Sequence, residues 1–412
     1  MRRMTVPPRD SRLIIVRPYY CVQDFTVAAG AARFGRTLPS SSGDHVTEAS
    51  FAQSFALMGR PKNRRSPAPL GQRIDWVDYA KGLGIFLVVV GHGLGGLINA
   101  GILPAHSGFS FAVDYIYSFH MPLFFFLSGL FIRPSARRRF RSYLGNKAGV
   151  IVYPYFLWSL LGGTVQHFAS QSNNPISWLD IAKMFYVPID QYWYLYVIFC
   201  MYLLFWMAYR LSMGNLTILA LTIMLYIGEV SGANITRWDV LHSLGAFLIY
   251  AGLGSVIAES ALPAALSRTT RDSLLMIAIA GYGLIGAIAM MDELKQPILH
   301  PIAAIAGIFA TMALAILLDR LKVFSAIAAW GRYSLEIFVA HTIFAAGFRI
   351  IVQKSLGYDS PWVHIVVGTA IGIYLPILLA VICARIGFPY LFTAGRAPRQ
   401  PEQRAAAAAA AQ

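Results

Sequence analysis

The sequence predicts an all-α, polytopic membrane protein with about ten transmembrane helices and both termini in the cytoplasm. Three observations predict it. The chain of 412 residues is 57% hydrophobic and only 13% charged, whereas soluble proteins carry about 25% charged residues. Its apolar residues gather into runs of membrane-spanning length. Its positive charges gather between those runs, on alternate loops. The net charge of +15 therefore reads as a topology signal, and no nucleic-acid partner is expected.

Residues 1–72 are of a different material, rich in Arg, Ser and Pro, with no run long enough to span. Leu13-Ile14-Ile15-Val16 is too short for the core of a signal peptide. This segment is expected to be a cytoplasmic, disordered extension, and Met58 would also open a plausible chain. The membrane domain is expected over residues 73–390. Charge-poor runs fall near 82–100, 110–132, 148–168, 191–209, 214–230, 240–258, 273–291, 297–318, 325–348 and 363–384. These lengths suit a hydrocarbon core about 30 Å thick. The run at 214–230 is the weakest, being short and ending in Gly228-Glu229. Residues 391–412 are expected to form a disordered cytoplasmic tail, closing on a low-complexity alanine run.

Orientation follows from the loops. Arg60, Lys62, Arg64, Arg65 and Arg73 precede the first run, and Arg133, Arg137, Arg138, Arg139, Arg141 and Lys147 follow the second. Arg210, then Arg268 and Arg271, then Arg320 and Lys322, then Arg385, Arg396 and Arg399 continue the basic side. The intervening loops are poorer, holding Lys183, Arg237, Lys295, Arg349 and Lys354. The basic side is the cytoplasm by the positive-inside rule. Of three cysteines, Cys200 and Cys383 lie inside apolar runs, so neither a disulfide framework nor a zinc site is legible.

Within this scaffold a few polar residues stand out. Lys81 and His92 are eleven apart, about 1100° of helix, which puts them on one face roughly 16 Å apart. Lys81 at the cytoplasmic interface would place His92 near the midplane, where a histidine marks a functional site by default. A lysine there can also snorkel or pair with Asp78, three residues earlier. The second run holds His120-Met121-Pro122 and Ser128-Gly129, with Asp114 near its outer end. Its proline frees a backbone carbonyl and bends the helix. The arginines at 133–141 form a basic surface suited to phosphate or to anionic lipid. Gln191-Tyr192-Trp193-Tyr194 opens the fourth run at the outer face, as an aromatic belt would. In the ninth, Arg332 and Glu336 are spaced to neutralise each other, and His341 is a third deep histidine.

Together these segments resemble the acyltransferase-3 family of integral membrane O-acyltransferases. The likeness is greatest to its fucose 4-O-acetylase-like branch, which includes rhizobial nodulation-factor acetylases. It rests on Asp78, Lys81 and His92; on Phe119-His120-Met121-Pro122-Leu123-Phe124-Phe125 with Ser128-Gly129; on Pro154-Tyr155 and Trp193-Tyr194-Leu195; and on Gly331, Ser334-Leu335 and His341. The resemblance implies a bacterial inner membrane and transfer of an acetyl group from cytoplasmic acetyl-CoA to a carbohydrate hydroxyl. The acceptor could be a polysaccharide, a lipid-linked glycan or a lipochitin-oligosaccharide fucose. It implies His92 as the essential catalytic residue and Lys81 as part of the donor site. Where relatives often carry a basic pair before the Pro-Tyr, this chain has only Lys147.

On this reading the CoA phosphates meet Lys81, Lys147, Arg133 and Arg137. His92 takes the acceptor proton or is itself acylated. His120, Ser128 and His341 orient the reaction, while Asp114, Trp193 and Tyr194 meet the acceptor. A thioester is already activated, so no metal is expected. The competing class is an oligosaccharide exporter or proton-coupled transporter, which buried His, Lys and Glu would also suit.

Overall fold

The computed structural model describes residues 75–104, 107–168, 176–232, 238–294 and 296–395. The extension expected at 1–72 and most of the expected tail lie outside the described residues, as do Arg237 and Lys295. In hydrocarbon a backbone has no water to bond, so an apolar run satisfies itself as a helix. Among the described residues there is no strand, and nine helices are long and apolar enough to cross a membrane. In chain order the principal helices are α1 (Asp75–Asn99), α2 (Gly108–Ala136), α3 (Phe140–Phe168) and α4 (Trp178–Arg210). Then follow α5 (Asn215–Val230), α6 (Asp239–Glu259), α7 (Arg271–Met290) and α8 (Leu299–Leu321). The last three are α9 (Ser325–Arg332), α10 (Ser334–Ile350) and α11 (Pro361–Arg385).

The short α5 completes the set. Asn215 donates to the Ser255 carbonyl (2.8 Å), a Cβ at Gly252 would meet Thr222, and Glu229 lies 3.0 Å from His242. These pairs run in opposite directions along the two chains. α5 thus accompanies α6, antiparallel, from one end to the other. The nine span-length helices among the described residues are thus joined by one shorter apolar helix.

Association between helices in lipid rests on close approach of small residues rather than on hydrophobic driving force. Two such crossings organise the bundle. A Cβ at Gly129 of α2 would lie 2.2 Å from the Ala251 carbonyl, and one at Gly254 of α6 would lie 2.2 Å from the Phe126 carbonyl. At the start of α1, a Cβ at Gly82 would lie 1.8 Å from the Ile327 carbonyl of α9, and one at Gly331 would lie 1.8 Å from the Asp78 carbonyl. α1 itself touches α2, α8, α9, α10 and α11.

Two expectations are corrected here. The ninth run is not one helix: it breaks at Tyr333 (φ −103°, ψ 21°), with Ser334 Oγ donating to the Gly331 carbonyl at 2.9 Å. The break separates Arg332 from Glu336. Arg332 is exposed, Glu336 is partly buried, and no ion pair joins them among the described residues. The fourth run does not begin as an interfacial belt either. The span starts at Trp178, and Gln191, Tyr192, Trp193 and Tyr194 are buried. They are drawn in because Gln191 donates to Thr342 Oγ (2.6 Å) and Tyr192 to the Val339 carbonyl (3.0 Å), docking α4 on α10. Packing also continues past residue 390: Trp158 donates to the Leu391 carbonyl (2.8 Å) and stacks on Phe392.

Candidate active site

The site begins with the α1–α9 contact. Ten residues beyond Gly82 on α1 stands His92, and ten residues beyond Gly331, on α10, stands His341. α1 and α10 run parallel from that anchor, since Arg349 of α10 later reaches the Gly96 carbonyl of α1. The two histidines therefore arrive at one depth, with ring centroids 5.1 Å apart and planes at 72°. α2 supplies the third ring. It is interrupted between Tyr117 and His120, so that Pro122 sits in the first turn of the second half, where a missing N–H costs little. Tyr117 bridges the group, 6.5 Å from His92 and 5.1 Å from His120 by ring centroids.

Hydrogen bonding sets two of the tautomers. His120 Nδ1 lies 2.7 Å from the Ile116 carbonyl, and His341 Nδ1 lies 2.7 Å from the Phe338 carbonyl. A carbonyl only accepts, so each Nδ1 carries the proton and a neutral ring keeps its lone pair on Nε2. His341 Nε2 is buried and has no hydrogen-bond partner among the described residues. His120 and His341 are fully buried, while His92 is partly accessible. The arrangement is a partly buried imidazole, its Nε2 inside the protein, packed against two fixed ones. Among the described residues no three His, Cys, Asp or Glu side chains are placed to hold a metal ion.

Ser128 is not part of this group. It is buried farther along α2, beside Tyr202 of α4. Lys147 is there too, with Nζ 3.3 Å from the Tyr202 ring centroid and 5.6 Å from that of Tyr143. It ends an α-helical turn just before the π-helical turn Ala148–Val152 of α3, a local widening often found at functional sites. Tyr194 packs edge-on against Phe125, and Trp193 against Phe247, so both belong to the same buried layer.

The basic surface is the third region. A cavity of about 490 Å³ is lined by Arg133, Arg137, Arg210, Tyr209, Ser212 and Met213. Arg133 pairs with Glu259 and lies 5.8 Å from the Tyr209 ring. Lys81 is elsewhere. It is buried at the start of α1 and paired with Asp78 at 3.1 Å, which is the local pairing its spacing allows. Asp114 is partly buried in the first half of α2.

The structure thus joins His92, His120 and His341, joins Arg133 with Arg137, and places Ser128 and Lys147 each against Tyr202. Sequence reasoning missed Tyr117, Tyr202 and Arg210. Tyr117 carried a signal, standing three residues before His120 on a segment that a proline interrupts; Tyr202 and Arg210 carried none beyond composition. No curated protein and no solved structure matches the chain. Residues 74–381 match the family model of the acyltransferase domain, and with most of its length so matched this chain belongs to the acyltransferase-3 family and is a membrane acyltransferase.

Proposed function

We propose that the protein moves an acetyl group from cytoplasmic acetyl-CoA to a hydroxyl of a carbohydrate, with His92 as general base. The observation that carries the reading is the contact of His92 with the buried His341, whose Nε2 is an unprotonated acceptor. The neutral His92 ring, its centroid 5.1 Å from that of His341, keeps a lone pair on one nitrogen. That lone pair takes the proton of the acceptor hydroxyl as its oxygen attacks the thioester carbonyl. The C–S bond then breaks, the imidazolium returns the proton to the leaving thiolate, and free CoA and an acetyl ester result. Base catalysis of this kind contributes about 10² to 10⁴ in rate.

The arginine-lined cavity suits the CoA phosphates, since guanidinium groups bind phosphate oxygens in a bidentate manner. From Arg133 to His120 along α2 is thirteen residues, about 20 Å at 1.5 Å per residue. The pantetheine arm would cover that distance, passing Lys147, Tyr202 and Ser128. Lys81 acts from a distance, by holding Asp78 at the α1–α9 contact. The test is release of free CoA thiol by the purified protein in proteoliposomes, supplied with acetyl-CoA inside and oligosaccharide outside. Saccharide-dependent release supports the reading. Saccharide movement with no thiol release would make the protein a transporter.

A further inference from the structure

Cations in or near the spans are compensated: Lys81 by Asp78, Arg133 by Glu259, and Arg320 by the carbonyls of Thr269 and Leu266. Arg349 differs. It is partly buried at the end of α10, donates to the Gly96 carbonyl at 2.5 Å, and meets no carboxylate among the described residues. Gly96 is one helical turn beyond His92. A cation so placed is costly unless something answers its charge.

The position over Gly93 is open. A Cβ at Gly93, next to His92, would meet nothing within 4 Å, whereas one at Gly96 would meet Arg349 Nη1 at 3.1 Å. The same end of the bundle carries the start of α2 and the start of α11. There Trp362 is exposed and lies edge-on to Phe109, 6.1 Å between centroids. A guanidinium one helical turn from His92 and an exposed indole at the same end of the bundle are parts of a site for a charged sugar: Arg for the anion, the aromatic face for the ring.

We infer that this end of α1, α2, α10 and α11 is the acceptor subsite and that it takes an anionic saccharide, its carboxylate or phosphate held by Arg349 and its ring by Trp362. The inference rests on the proposed acyl transfer at His92. It is tested by binding, which needs no turnover. Protein in phosphatidylcholine nanodiscs is titrated with a glucuronate-terminated disaccharide, with its methyl ester and with the corresponding sugar phosphate. Wild type should bind the carboxylate, the phosphate or both about tenfold or more tightly than the ester, the scale of a charge-assisted hydrogen bond; which anion wins identifies the source of the charge. Arg349→Gln should erase the preference, Arg349→Lys should keep part of it, and Trp362→Ala should weaken every form alike.

Equal binding of ester and anions by wild type overturns the inference, as does a preference that survives Arg349→Gln. So does an Arg349→Gln effect confined to retention of phosphatidylglycerol, which would make Arg349 a lipid anchor. A protein that binds the anionic sugar selectively but releases no CoA would refute acyl transfer and not this subsite. Full transfer with no charge preference would refute the subsite alone.

Discussion

Gly331→Ala is the substitution whose consequence is most directly worked from the structure. The added carbon would lie 1.8 Å from the Asp78 carbonyl oxygen and 3.0 Å from the Gly82 nitrogen. An unstrained carbon–oxygen contact needs about 3.3 Å, so α9 and α1 must separate by about 1.5 Å. Both obstacles are backbone atoms, so no side chain can swing aside. Overpacking of this kind costs roughly 1–3 kcal/mol. The same contact sets the depth at which His92 meets His341, and a misplacement of about 1 Å costs on the order of 10²-fold in rate. The assay is paired: the thermal midpoint in detergent and the rate of acetyl transfer. Gly331→Ala should lower both, the rate by about 10²-fold. The control is Gly283→Ala on α7, where a Cβ meets nothing within 4 Å; it should be neutral or gain up to about 1 kcal/mol of helix propensity. Wild-type midpoint and rate in Gly331→Ala would refute the anchor.

Gly93→Ala has room to fold, so its midpoint should hold or rise while transfer falls, because the methyl fills space that substrate uses; unchanged transfer would show that space to be idle. Gln191→Leu removes the 2.6 Å bond to Thr342 and should cost about 1 kcal/mol, read as a lower midpoint. Arg137→Ala with Arg210→Ala strips two cations from the 490 Å³ cavity. It should raise the KM for acetyl-CoA with kcat largely kept, and the penalty should shrink as salt rises; a KM equal to wild type would move the donor site elsewhere.

The crossings were legible because a bilayer leaves a chain few options. Run length marked the nine span-length helices of the described residues, and it also marked the shorter α5. The Lys81–His92 face was legible for the same reason, since one uninterrupted helix carries both. Local sequence could not show where a helix stops within an apolar run. The break at Tyr333 follows the close approach of Gly331 to a distant helix, and no Arg332–Glu336 pair forms across it. Nor could it show that Gln191 and Tyr192 turn inward, because their partners, Thr342 and Val339, lie some 150 residues away. The histidines were each visible. That they meet follows from the α1–α9 crossing, which no local pattern encodes.

The central claim is that His92 carries the chemistry. Its most direct test uses proteoliposomes holding wild type or His92→Ala, loaded with radiolabelled acetyl-CoA, with label on the saccharide as the readout and CoA retention as the check on donor binding. The account predicts that His92→Ala inserts normally, binds acetyl-CoA like wild type and labels no saccharide. Full labelling by His92→Ala would contradict it.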